Sequence, residues 1–195
     1  MAAGGIAAVS LSSTGPTIHR DGAGPLGSVL DPTTRSVVAF DRNTAGPWTL
    51  GFALCLAQGT SPATITSVDG TERVGAGYRV PGILIRSFVP TTNDPPIISV
   101  DGFPPTLPES AVPAVGAVIS TQCSRGVIGQ PYTELLLGFS GMGSDGGGWR
   151  GISVHYTVSG HDYVAQLGYD VLMCGPAIEP EAECHPPPSS PSPSP

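Results

Sequence analysis

Apolar and polar positions alternate most cleanly between Tyr132 and Cys174. Ile152, Val154, Tyr156 and Val158 fall on one face of an extended chain and Ser153, His155 and Thr157 on the other, the period of two that marks a strand. Upstream, Thr133, Leu135, Leu137 and Phe139 share a face and lead into the Gly-rich break from Ser140 to Gly148. Hydrophobic strand, flexible turn and amphipathic strand together predict a long β-hairpin. Downstream, Tyr163, Ala165 and Leu167 alternate before Val171, Leu172 and Met173, and Gly160, His161 and Asp162 are expected to make the tight turn between the last two strands.

The same pattern recurs earlier in the chain. From Trp48 to Ala57, the residues Trp48, Leu50, Phe52, Leu54 and Leu56 share one face with Cys55 opposite, which predicts an inner strand. Ala63 to Val68 reads as the next strand, punctuated by Asp69-Gly70, and Val37 to Phe40 as a short first one. Tyr78 to Val80 and Gly82 to Val89 continue the series, with Pro81 marking an edge or a bulge between them. Residues 90–117 hold Pro90, Pro95, Pro96, Pro104, Pro105, Pro108 and Pro113, which predicts a long connection with one strand at Ile97 to Val100. Val118 to Cys123 is strand-like. No segment keeps a helical period over the 11 or so residues that a helix needs.

Roughly seven to nine short strands separated by turn signals define an all-β chain. The expected architecture is an antiparallel β-sandwich, immunoglobulin- or fibronectin-III-like, with a jelly roll or small barrel as the alternative. The expected organisation is a leader or irregular arm at 1–35, the sandwich domain at 36–178, and a disordered Pro/Ser-rich tail at 179–195. Residues 2–11 are short, apolar and unaccompanied by a basic n-region, so they read either as the distal end of a truncated signal or anchor, or as a small-residue leader. The tail reads as a polyproline spacer, a ligand for a proline-recognising groove, or a solvated end.

Composition narrows the partners. The formal net charge is −7, and the eight basic residues (all arginine) are scattered singly, so no patch is concentrated enough to neutralise a phosphate backbone. Nucleic acid is therefore not an expected partner, and the absence of lysine fits GC-rich codon usage. The four cysteines Cys55, Cys123, Cys174 and Cys184 form an even set without a CxxC pair, which favours disulfides over a zinc site. Cys55 and Cys174 both lie in apolar strand-like runs, so the expected pairing is Cys55 with Cys174 and Cys123 with Cys184.

The runs Tyr132–Gly138 and Gly147–Tyr156, together with Tyr163 and Leu172–Gly175, resemble the C-terminal half of uncharacterised extracytoplasmic proteins, secreted or membrane-anchored, of high-GC Gram-positive bacteria. The resemblance spans about a fifth of the chain. It implies an envelope location and attaches no reaction.

Signals for chemistry are sparse. The glycines of 141–151 enter a strand without the Gly-Lys-Ser/Thr that a phosphate loop requires. Asp145 with Ser144 and Glu134 offers too few oxygens on one loop for calcium. His155, His161 and Asp162 lie near one turn, but no Gly-x-Ser-x-Gly elbow accompanies them. Trp149, Arg150 and Asp145, beside the Gly-rich loop, are the candidate binding residues, because aromatic and arginine side chains near loops mark contact surfaces. The competing reading places Trp149 in the core. The expected function is a non-catalytic extracytoplasmic module, structural or interacting with a protein partner or envelope component, without a cofactor or metal. A phage capsid-decoration or tail protein is the first alternative, and a hydrolase the second.

Overall fold

In a computed structural model, residues 17–18, 24–27, 36–40, 46–123, 129–178 and 184 are described, and they are all-β without a helix longer than a single turn. The strands are β1 (Thr17–Ile18), β2 (Leu26–Gly27), β3 (Ser36–Phe40), β4 (Trp48–Leu56), β5 (Ala63–Gly75), β6 (Tyr78–Arg79) and β7 (Ile83–Phe88). They continue with β8 (Ser99–Asp101), β9 (Val112–Pro113), β10 (Val118–Ile119), β11 (Tyr132–Gly141), β12 (Gly147–Val158) and β13 (His161–Met173).

Two sheets form. The first runs β1-β13-β12-β5-β10, with β3 also on β13, and the second runs β2-β4-β11-β7-β9, with β6 on β11 and β8 on β4. Pairing is antiparallel except for β1 and β3, which lie parallel to β13. Each sheet is three long strands fringed by short ones. Leu50, Phe52, Leu54, Leu135, Leu137 and Phe139 of the second sheet join Ile65, Ile152, Val154, Tyr156, Leu167 and Val171 of the first in one buried cluster. Rings close the gap: Phe40 of the first sheet stacks on Trp48 of the second at 4.3 Å, and Phe52 meets Tyr169 at 4.8 Å.

Several expectations change. The stretch Tyr132 to Val158 is not a hairpin, because β11 belongs to the second sheet and β12 to the first; the Gly-rich segment carries the chain from one layer to the other. The expected hairpin between the last two strands does form, but its two-residue turn is Ser159 and Gly160, with φ values of 50° and 81° suited to strand twist, and His161 and Asp162 open β13 rather than making the turn. Nor does Asp69-Gly70 end a strand: β5 continues to Gly75, and Gly70 is needed there because a Cβ would collide with the Trp149 indole. The arm at 1–35 contributes β1 and β2, and the strand expected at Ile97 to Val100 is Ser99–Asp101. The truncated-signal reading of 2–11 and the tail at 179–195, Cys184 apart, lie outside the described residues.

The cysteines pair differently as well. Cys55 bonds Cys123 and Cys174 bonds Cys184. The Cys174 amide donates to the Phe40 carbonyl at 2.9 Å, and Phe40 lies on Trp48, which opens β4. Cys55 is seven residues further along that strand, about 23 Å away at strand rise. Chain segment 121–123 runs beside the far end of β4 instead: the Leu56 amide donates to the Thr121 carbonyl and the Cys123 amide to the Leu56 carbonyl, each at 2.8 Å.

Candidate functional site

The end of the molecule around the Gly-rich loop is built from three chain crossings. The β11–β12 connection (142–146), the corner between β5 and β6, and the turn after β13 meet backbone to backbone. The Gly77 amide donates to the Gly146 carbonyl at 2.9 Å, the Met142 amide to the Gly77 carbonyl at 2.8 Å, and the Ala177 amide to the Asp145 carbonyl at 2.9 Å. A Cβ at Gly146 or Gly175 would strike backbone atoms of the other at 2.7 Å or less. Glycine is present here because the backbones touch. The segment expected to be a flexible turn is tied down on both sides.

Of the three candidate binding residues, only Asp145 is exposed. Trp149 is 3% exposed and belongs to the shared core, so it is withdrawn as a binding residue. A bulge explains why: Gly151 has φ of +74° and its amide donates to the Asp170 carboxylate at 2.9 Å, which breaks the alternation and lets Trp149 and Ile152 both turn inward. Arg150 is half-buried, in register with Asp170 on one side and Glu72 on the other. What this end offers outward is the segment Met142 to Asp145, with Met142 at 54% exposure, and Arg79 nearby, whose Nε donates to the Ser140 hydroxyl at 3.2 Å.

The hydrolase candidates separate. His161 is in register with core-facing Val158, whereas His155 and Thr157, with Asp162 opposite Thr157, lie on the outer face of the first sheet. Ser67 is His155's cross-strand neighbour, yet no hydrogen bond links Ser67, His155 and Asp162 among the described residues. Glu134, once grouped with Asp145, belongs to a different site altogether. Among the described residues no three His, Cys, Asp or Glu side chains gather closely enough to hold a metal ion.

The cluster that sequence reading missed lies on the outer face of the second sheet. Arg86 of β7 faces Glu134 of β11 across the strands, and both are buried, at 0% and 1% exposure. Arg86 Nη2 donates to Glu134 Oε1 at 2.7 Å and Nη1 to Asp94 Oδ1 at 2.8 Å, while the Ile97 amide donates to Glu134 Oε2 at 3.1 Å. The guanidinium also lies 3.7 Å over the Phe88 ring. Burial opposes the Arg86 charge, but the hydrogen bonds and charges of Glu134 and Asp94 together outweigh it and hold the group protonated. Burial pushes the Glu134 carboxyl above its ordinary value, against the pull of Arg86 and the Ile97 amide. The covering element is the proline-rich connection after β7. It also lays Phe103 over Gly82 and Gly138, where a Cβ on either glycine would collide with the ring. We call it the strap. It explains why Thr133 to Ser140 is buried on both faces.

Next to the cluster, Tyr132 packs edge-on to Phe88 at 5.8 Å. Burial, then the charges of Glu134 and Tyr169, push its phenol from 10.0 up to about 12. The folded chain thus resists ionising a group that the unfolded chain ionises near 10.0. That contribution is complete below pH 10 and is lost as pH rises towards 12, on the order of 2 kcal/mol in all. Tyr156, raised by burial, acts in the same direction. Urea unfolding followed between pH 9 and 12 should show stability falling through this window, and Tyr132→Phe should flatten the fall. An unchanged slope in that variant would refute the assignment.

No family model, no curated protein and no solved structure matches the chain.

Proposed function

We propose that the chain is an immunoglobulin-like β-sandwich module working outside the cytoplasm, with a structural or protein-interaction role at the cell envelope. The strand order supports the fold type. Taking β2, β4, β7 and β11 as A, B, D and E, the second sheet reads A-B-E-D, and with β5, β12 and β13 as C, F and G the first reads C-F-G. The pattern departs from antibody domains in two ways: the two core tryptophans, Trp48 and Trp149, are on the B-like and F-like strands rather than the C-like one, and the B-like cysteine bonds Cys123 rather than a cysteine of the F-like strand.

The observation that carries the location is that all four cysteines are bonded in pairs. The interaction reading rests on how charge is used. The buried ion cluster anchors a strap, and the strongly held glycine end presents Met142 to Asp145 on a fixed backbone. Maleimide labelling in the producing cells tests the location. The expected result is no label on the chain until reductant is added, and then label at all four cysteines; label without reductant overturns the location. A photo-crosslinking residue in place of Ser144, in the same cells, should give a discrete protein adduct. An oxidised, folded chain that yields none removes the interaction reading.

A further inference from the structure

Strand β5 pairs with β12 along its inner side from Ala63 to Gly75. On its outer side, β10 covers Ala63 and Thr64, and the next segment closes Ile65: the Ile65 amide donates to the Ala117 carbonyl at 3.0 Å and the Gly116 amide to the Ile65 carbonyl at 2.8 Å. From Thr66 to Val74 no strand pairs with this outer side among the described residues. Elsewhere the long strands are fringed by β1, β2, β3, β8 and β9, so this is the longest open edge in the described part of the fold. A row of unpaired amides and carbonyls is a template for another strand.

Edges are commonly protected by charge, which works when like charges meet as two copies approach. The order of charges here does the reverse. Asp69 and Arg73 lie on one side of β5, as their 2.6 Å ion pair requires, and are 47% and 64% exposed. They sit two residues either side of Thr71. In an antiparallel pairing of β5 with itself centred on Thr71, Asp69 faces Arg73 of the second copy, Arg73 faces its Asp69, and Thr71 faces Thr71. On the other side Val68 meets Val74 and Gly70 meets Glu72, so no like charges are opposed.

We propose that the β5 edge from Thr66 to Val74 is a self-association surface, joining two copies of this chain antiparallel about Thr71. The ion pair within each copy is exchanged for one between chains, two for two, so the charges fix the register while the gain comes from closing the open edge, and the first sheet becomes continuous across the dimer. The proposal is independent of where the chain works.

Sedimentation equilibrium of the full disulfide-bonded chain over a concentration series tests it. A dimer is expected, weakening as salt rises. Arg73→Asp alone, or Asp69→Arg alone, places like charges opposite each other twice per dimer and should weaken association by about tenfold or more. The double variant D69R/R73D restores opposite pairs and should return the affinity to within a few-fold of the parent. Both positions are exposed, so circular dichroism should not change. A chain that stays monomeric throughout, a dimer indifferent to R73D, or a double variant that fails to recover would each overturn the proposal.

Discussion

Replacing Glu134 with alanine should lower the stability of the fold by about 3 kcal/mol, read as a shift of the urea midpoint. The reason is the arginine left behind more than the hydrogen bond removed. Arg86 has no exposed surface, and losing one buried partner leaves its charge short of compensation. Measured losses for broken buried pairs run to about 3–5 kcal/mol, and the low end applies here because Asp94, 19% exposed, still holds Nη1. The Ile97 amide also loses its acceptor, so its hydrogen exchange should accelerate along with the rest of the strap. A paired replacement, Arg86→Met with Glu134→Leu, separates charge from packing. It should recover most of the midpoint, since two apolar side chains of similar size fill the same space, while Ile97 remains unprotected. Equal losses in the single and double variants would show that the cost lies in the hydrogen bonds of the pair itself and not in an Arg86 charge left without its partner.

This cluster also marks where the sequence was legible and where it was not. The facing sets Trp48 to Leu56, Thr133 to Phe139 and Ile152 to Val158 were readable because period two is a local property of each strand, and those residues do form the core. The assignment of strands to sheets was not readable, because it depends on pairing between distant segments. A glycine-rich connection looks the same whether the chain reverses within one sheet or crosses to the other, so the segment after β11 passed for a hairpin tip. Its glycines answer to Gly75, Gly77 and Gly175, residues up to about 70 positions away, and no local pattern reports that. Gly70 is a similar case: a turn signal in the sequence, but in the fold a strand position cleared for Trp149. Arg86 and Glu134 did leave a trace. Each is a single charge inside an apolar run, Gly82 to Val89 and Tyr132 to Gly138, and two such charges of opposite sign in neighbouring strands are an ion pair waiting for a register. The third member, Asp94, sits among prolines and gave no such signal.

Removing the Cys55–Cys123 bond by paired alanine replacement should cost about 4 kcal/mol, against about 2.5 kcal/mol for the same treatment of Cys174–Cys184. The difference follows from the lengths of chain that each bond closes in the unfolded state: a sequence separation of 68 against one of 10. Position reinforces the order. The first bond fixes the far end of the connection that contains the strap to β4, which lies between β2 and β11 in the second sheet, with Cys55 itself buried. The second ties Cys184 to the residue after β13 at the glycine-lined end. Urea unfolding of the two paired variants checks the ranking, and non-reducing peptide mapping should return Cys55 with Cys123 and Cys174 with Cys184. Equal costs, or a larger loss from the second bond, would mean that its contribution comes from packing around Gly146 and Gly175 and not from loop closure. That outcome would make the glycine-lined end, rather than the strap, the part of the fold most dependent on oxidation.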